Sequence, residues 1–392
     1  MKKHEKDQET QKTKGKRNFK SLSAEPGPIT RLARKKLDKN KPSKILDYFS
    51  LLPENAIKTI LGFLAFSSLK NLKFLNKDFY LYVSQMYTIL DFENKSEIPL
   101  IILQSILKNC LKPEEIRFGQ MKKLKSNDFY QKIVGIINLK EIKVLDFSMY
   151  SELNDEILMK CLEKTNLSLL NELNLPYSCK ITNKSLLFLE ENVKNLGSFH
   201  LDSKYSRESN KNLDQSTLAK IIIRNQDLGE LCLETVNCDF MQTLNQNNFT
   251  SDHLIILKIR NLELKDFKDL KNILAFGSCK HLICFTIKEI FVRNKFINYD
   301  HEDILENFEK LFKNLDHLKH IKLGHFATPA LLDVISENVP TLEMFKVVSE
   351  HLEIEDLEGF FFSCINLMTL EGKVGPEYNF VHFEKRKIIF IF

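Results

Sequence analysis

An apolar triad recurs along this chain of 392 residues and constrains its fold more than any other feature. In each copy the apolar residues stand at positions i, i+3 and i+5. The clear copies are Ile142/Leu145/Phe147, Leu170/Leu173/Leu175, Leu196/Phe199/Leu201, Leu228/Leu231/Leu233, Leu254/Leu257/Ile259, Leu282/Phe285/Ile287, Leu318/Ile321/Leu323 and Leu342/Phe345/Val347. A degenerate copy begins at Pro113 and a weak one at Leu367, so successive copies begin 24 to 36 residues apart.

The spacing within the triad predicts a strand, because residues two apart on a strand point to the same side. A segment with helical spacing follows most copies, as with Ile157, Leu158, Cys161 and Leu162. One strand and one helix cannot bury their apolar faces alone, whereas stacked copies bury a continuous core. The repeat therefore predicts an α/β solenoid that extends from residue 93 to residue 392, with a cap at its C-terminal end.

The unit that starts at Leu170 has the most complete pattern, since Cys179 and Asn183 follow its triad before the next apolar helix. This unit resembles the cysteine-containing subclass of leucine-rich repeats. The resemblance implies a right-handed, horseshoe-shaped leucine-rich-repeat solenoid. It also gives the cysteines the role of small buried residues, which agrees with the behaviour of free cysteine in protein cores.

Charge separates the first 44 residues from the remainder. Residues 1–44 contain 15 Lys and Arg against 5 Asp and Glu, whereas the rest of the chain has a net charge of −5. With few large apolar residues, this segment predicts a disordered basic tail. Because the body has no basic surplus, the sequence disfavours nucleic acid as a partner, and binding to it through the tail is a third and weaker alternative.

Several other classes of function find no support in the sequence. No apolar run is long enough to span a membrane, and no apolar secretory leader stands at the N-terminus, so we expect a cytoplasmic or nuclear protein without a membrane partner. The eight cysteines have none of the close spacings of zinc motifs. No phosphate-binding loop or catalytic motif occurs. The expectation is a non-enzymatic protein without metal or cofactor.

Residues 45–92 differ from the repeats and predict a small helical module. Leu52-Pro53-Glu54 precedes apolar residues at helical spacing, and a proline suits the first turn of a helix. The segment resembles the F-box, a family pattern with a Leu-Pro pair, an acidic residue and an apolar ladder. The match continues through Leu69, Leu72, Leu75, Lys77 and Phe79.

An F-box followed by leucine-rich repeats implies the substrate-recognition subunit of a Skp–cullin–F-box ubiquitin ligase. The F-box would dock on a Skp-family adaptor and through it a cullin, while the repeats would bind the protein to be ubiquitinated and degraded. The residues that the resemblance assigns to the adaptor are Leu52, Pro53, Ile57, Ile60, Leu61 and Leu64. The alternative is a repeat scaffold unrelated to ubiquitin, whose helical head only caps the solenoid.

Strand residues that alternate with the core positions are the candidate contacts for a target. The predicted target-binding residues of the concave face are His200, Asp202, Glu234, Lys258, Arg260, Lys288, Lys322 and Lys346. Acidic residues come first and basic residues later. The five cations suit an acidic or phosphorylated target, although a solvated face with a chance order of charges would look the same.

Overall fold

The recurring triads form the strands of one sheet in the computed structural model. The structure describes residues 88–91, 104, 107–108, 110, 112–118, 133–150, 153–176, 180–202, 213–292, 299 and 301–384. All of these belong to the second of the two units into which the chain divides, which begins at Leu69. The predicted tail, the F-box-like segment apart from residues 88–91, and residues 385–392 lie outside the described residues.

The sheet has twelve strands, and each strand pairs with the next one in sequence. The strands are β1 Ile89–Asp91, β2 Glu115–Arg117, β3 Val144–Asp146, β4 Glu172–Pro176, β5 Ser198–Asp202, β6 Glu230–Asn237, β7 Ile256–Leu264, β8 Cys284–Val292, β9 His320–Leu323, β10 Met344–Ser349, β11 Thr369–Val374 and β12 Asn379–Glu384. Every pair from β1 to β11 is parallel, and β12 pairs with β11 antiparallel. This order is that of a solenoid-like stack.

A helix connects consecutive strands from β3 to β11. The α-helices are α1 Asp155–Lys164, α2 Asn183–Asn192, α3 Gln215–Arg224, α4 Cys238–Gln246, α5 Glu302–Phe312, α6 Pro329–Asn338 and α7 Ile354–Ser363. Between β7 and β8 the connection is a 3-10 helix, Phe267–Ser278. None of the helices in the described ranges is long and apolar enough to cross a membrane.

The starts of the helices follow from short polar residues placed just before them. Asn154, Thr182, Asp214 and Asn237 each accept a hydrogen bond from a backbone N–H in the first turn of α1 to α4. These side chains satisfy amide groups that have no partner within the helix. At α6, the proline that follows the capping residue Thr328 fits the first turn because its missing N–H needs no partner there.

The triads build the core as their spacing predicts. In the third clear copy, Leu196, Phe199 and Leu201 are each at most 1% exposed, and the corresponding residues of the other clear copies are at most 2% exposed. The buried sides of the helices complete one continuous cluster with them. Within the described residues, five of the buried cysteines belong to this cluster: Cys110, Cys161, Cys238, Cys279 and Cys364. Burial raises the pKa of Cys161 and of Cys279 to about 12.

Two features of the sheet, the position of its first strand and the direction of its last, were not predicted from the sequence. β1 lies within residues 45–92, so the sheet begins before the boundary predicted at residue 93. β12 reverses direction because the chain turns at Gly375, which has a φ of +75°, a backbone conformation that glycine adopts readily. The edge of the parallel array is therefore covered by a strand of the opposite sense.

Candidate binding face

Strand residues that point away from the core form a surface that we call the open face. Its best-ordered part, the central row, takes one residue from each of nine neighbouring strands. The row comprises Asp146, Asn174, His200, Cys232, Lys258, Thr286, Lys322, Lys346 and Glu371, and each residue is the register partner of the next. From Asp146 to Lys346 the row lies between the second and third triad positions, where strand residues alternate with the core.

The predicted target-binding residues lie on the strands of this sheet. His200, Lys258, Lys322 and Lys346 belong to the central row. Two positions further along the strands stand Glu234, Arg260 and Lys288 on β6, β7 and β8, and Asp202 ends β5. The six residues assigned to the adaptor, Leu52, Pro53, Ile57, Ile60, Leu61 and Leu64, lie outside the described residues.

Strands β6 to β8 are irregular at this second position. The register from β6 to β7 passes from Leu233↔Ile259 directly to Thr235↔Asn261, and β7 to β8 has the same interruption. Two residues rather than one therefore separate consecutive core positions, as between Ile259 and Leu262. The three strands have the same number of residues at the interruption, so their register is unchanged and the alternation of side chains shifts by one residue in all of them together.

Three of the five predicted cations are already paired with carboxylates. Lys258 Nζ lies 2.8 Å from Glu230 Oε1, and Arg260 Nη1 lies 3.2 Å from Glu234 Oε1. Lys346 Nζ lies 2.6 Å from Glu371 Oε2. These carboxylates neutralise much of the basic stretch that the sequence suggested.

The remaining two cations have no ion-pair partner of this kind among the described residues, although Glu371 attracts Lys322 from a greater distance. Within the described residues, neither Lys288 nor Lys322 forms an ion pair. Burial lowers the pKa of Lys322, and repulsion from Lys288 and Lys346 lowers it further. Thr286, the register partner of Lys322, adds a hydroxyl group on the same face. We call Lys288, Lys322 and Thr286 the cationic patch.

A second polar group lies at the junction of β5 and β6. His200 Nε2, Glu230 Oε1 and Cys232 Sγ all lie within 4.8 Å of one another. The histidine nitrogen is 3.5 Å from the carboxylate oxygen, and the thiol donates a hydrogen bond to the same oxygen at 3.6 Å. The hydrogen bond from His200 lowers the pKa of Glu230 to about 2, with Lys258 acting in the same direction against burial.

Sequence reasoning missed Glu230 although it identified His200 as a candidate and placed Cys232 in the central row. Glu230 stands two residues before Cys232 and so points to the same face, one row upstream of the positions considered. The signal that would have revealed it is the alternation of β6 itself. Two residues before Cys232 stands the carboxylate of Glu230, which lies beside His200 and Lys258.

Comparisons with known proteins found likenesses among solved structures. No family model matches the chain. No curated protein matches it either. Among solved structures, a crystal structure of the Rad7 and Elc1 complex in yeast matches with a TM-score of 0.45 and 16% sequence identity, covering 90% of this chain and 94% of that chain.

Proposed function

We propose that this protein is the non-catalytic substrate-recognition subunit of a Skp–cullin–F-box ubiquitin ligase. Its F-box-like segment would bind the Skp-family adaptor through Leu52, Pro53, Ile57, Ile60, Leu61 and Leu64. The stacked strands would hold the target protein. Ubiquitin transfer would then follow from proximity, with no catalytic group supplied by this chain. We place the complex in the cytoplasm or the nucleus.

The observation that carries the proposal is the ordered open face, whose side chains stand in register across nine strands. Stacked repeats of this kind present an extended surface, which suits the recognition of another polypeptide. The upstream segment resembles an F-box, which would connect the bound target to the ligase through the adaptor. Together they favour a receptor over an enzyme.

The cationic patch gives the proposed target its chemistry. Lys288 and Lys322 hold positive charge on neighbouring strands, and the described residues offer neither of them a carboxylate partner. An acidic or phosphorylated segment of the target would relieve this repulsion and accept hydrogen bonds from both ammonium groups. Arg260 and Lys346 contribute less, because their charges are already neutralised by Glu234 and Glu371.

Affinity purification of the full chain, followed by protein identification, tests the proposal. We expect a Skp-family adaptor in about equal amount with the protein, together with a cullin. The double variant Leu52→Ala/Pro53→Ala should lose the adaptor and keep the target. The variant Lys288→Glu/Lys322→Glu should keep the adaptor and lose the target.

The two variants act as controls for each other, because misfolding of the chain would remove both partners. Lys280→Glu, an exposed lysine between two repeats, provides a control for the change of charge. If the unaltered protein is recovered with other proteins but without an adaptor, the alternative of a scaffold outside ubiquitin transfer replaces this proposal.

A further inference from the structure

The arrangement of His200, Glu230 and Cys232 has a chemical meaning independent of the proposed function. The three residues come from two adjacent strands, with His200 on β5 as the register partner of Cys232 on β6. Glu230 stands two residues before Cys232 and shares its face. The sheet therefore brings together, from positions some 30 residues apart, an imidazole, a thiol and a carboxylate.

We propose that these three side chains form a binding site for a divalent metal ion of the zinc type. Zinc accepts nitrogen, sulfur and oxygen ligands together, whereas magnesium and calcium prefer oxygen alone. Three protein ligands leave a fourth tetrahedral position towards the open face, where a water molecule or a donor atom from a bound polypeptide would complete the coordination.

The distances agree with tetrahedral coordination. With metal–ligand bonds of about 2.0–2.1 Å for histidine nitrogen, 2.0–2.2 Å for carboxylate oxygen and 2.3 Å for sulfur, neighbouring ligand atoms are separated by roughly 3.3–3.6 Å. The observed separations are 3.5 Å between His200 Nε2 and Glu230 Oε1 and 3.6 Å between Cys232 Sγ and Glu230 Oε1. The third separation, between His200 Nε2 and Cys232 Sγ, is at most 4.8 Å, so side-chain adjustment is needed to bring the three atoms around one ion.

The charges of the cluster are also suited to a cation. Glu230 supplies a carboxylate that already attracts the positively charged and imidazole groups around it. Lys258 Nζ lies 2.8 Å from Glu230 Oε1, so a positive charge is already accommodated beside this carboxylate. The Lys258 side chain is 45% exposed, and its length allows the ammonium group to move into solvent when a metal ion replaces it. Coordination of Cys232 releases the thiol proton to solvent.

A buried oxygen that has no hydrogen-bond partner among the described residues stands on the strand next to His200. Histidine ligands commonly direct their second ring nitrogen at an oxygen acceptor. Asn174, the register partner of His200 on the other side, is 5% exposed, and within the described residues its Oδ1 accepts no hydrogen bond. Ser198 Oγ lies 3.2 Å from His200 Nε2 and would turn away from that nitrogen on metal binding.

Titration of the full chain, first stripped with a chelator, with Co²⁺ provides the test. We expect a thiolate-to-cobalt charge-transfer absorption that saturates at one equivalent and disappears on addition of Zn²⁺. Cys232→Ser should abolish this absorption, and His200→Gln should weaken zinc binding by more than about 100-fold, beyond the usual effect of losing a ligand's hydrogen-bond partner. Zinc affinity is measured by competition with a chromophoric chelator.

Two further variants keep the inference falsifiable. Cys284→Ser, which removes another cysteine that is not fully buried, should leave the absorption unchanged. Lys258→Met should tighten zinc binding by at least about tenfold, because the metal no longer displaces a charge-assisted hydrogen bond. Absence of the absorption, its persistence in Cys232→Ser, its loss in Cys284→Ser, or an unchanged affinity in Lys258→Met would overturn the inference. The last measurement does not depend on whether Cys232→Ser folds.

Discussion

Arg260 Nη1 lies 3.2 Å from Glu234 Oε1 across the boundary between β6 and β7, so this guanidinium is already neutralised by a buried neighbour. Lys322 stands two strands away, beside Lys288 and without a carboxylate partner among the described residues. The two cations occupy the same face of the sheet but differ in how much of their charge is available. They form a matched pair for testing the recognition of an anionic target.

We expect Lys322→Met to weaken the binding of a labelled oligo-glutamate peptide by about fivefold or more, since one charge-assisted contact is lost. Arg260→Met should change this affinity by less than about twofold. Fluorescence anisotropy at low and moderate salt measures both, and the difference should shrink as salt rises. Equal losses in the two variants would contradict a specific role for the cationic patch.

The same two substitutions should affect the free energy of unfolding in the opposite order, with the larger loss in Arg260→Met. Arg260→Met removes an ionic partner of the buried Glu234 and should destabilise the fold by about 1–3 kcal/mol. Lys322→Met should leave the free energy of unfolding unchanged or raise it, because burial and repulsion both disfavour its charge. Urea denaturation of the purified variants checks the order.

Gly324 permits a close approach between β8 and β9. A Cβ atom at this position would lie 1.5 Å from the Lys288 carbonyl oxygen, so Gly324→Ala must displace backbone. We expect a loss of about 3 kcal/mol or more in the free energy of unfolding, at the upper end of overpacking effects. Gly359→Ala in α7 is the control, since no atom beyond the adjoining residues and the backbone of α7 lies within 4 Å of its Cβ position, and it should stabilise by about 0.5–1 kcal/mol. Thermal denaturation would refute the prediction if both variants behaved alike.

Asn225 links two repeats through hydrogen bonds in the core. Its Oδ1 accepts from Leu196 N at 2.9 Å, and its Nδ2 donates to Ile221 O at 2.7 Å and to Val193 O at 3.2 Å. The residue is 2% exposed, so Asn225→Ala leaves buried backbone groups without partners. We expect a loss of about 2–4 kcal/mol by urea denaturation. Asn247→Ala, which removes an exposed side-chain bond to Thr243 O, should have a much smaller effect.

Asp155 ties the start of α1 to the start of α2. Its carboxylate accepts hydrogen bonds from Thr182 N at 2.8 Å and Thr182 Oγ1 at 2.6 Å, and another from Ser185 Oγ. Burial alone would raise the pKa of Asp155, but the hydrogen bonds from Ser185 and Thr182 lower it below its ordinary value. Because the folded-state pKa is depressed, the stabilisation is present above the ordinary pKa of about 3.9 and is lost as the pH falls through the folded value.

We therefore expect Asp155→Asn to destabilise the protein by about 1 kcal/mol at pH 7, with the difference from the unaltered protein narrowing below about pH 4. Urea denaturation at pH 7, 5 and 3 measures this dependence. Glu156→Gln, at the exposed neighbouring position, should have little effect at any of these values. A difference that does not vary with pH would show that the carboxylate charge is not involved.

The fold of the repeat region was predictable because its signal is redundant. Each triad places two apolar residues on one side of a strand, and copies about one repeat apart then pair in register, so the central row could be named in advance. The irregular positions were harder. The extra residue between the core positions Ile259 and Leu262 depends on how three strands pair, and the antiparallel β12 depends on a turn at Gly375.

The chemistry of the open face was predictable only in part. The basic residues were identified, but their neutralisation by Glu230, Glu234 and Glu371 was not, because a pairing across strands joins residues 25 to 28 positions apart. The cluster of His200, Glu230 and Cys232 escaped for the same reason. A site whose ligands come from neighbouring strands cannot be recognised from the spacing of those ligands along the chain.

The in-register sheet also presents its side chains at a fixed spacing to any polypeptide that lies across the strands. Neighbouring strands are about 4.8 Å apart, whereas an extended polypeptide advances about 3.3 Å per residue. In a peptide that crosses the strands at right angles, three residues therefore span about the same distance as two strand spacings. Acidic or phosphorylated residues at every third position of a crossing segment would match this periodicity, and those at every second position would drift out of phase.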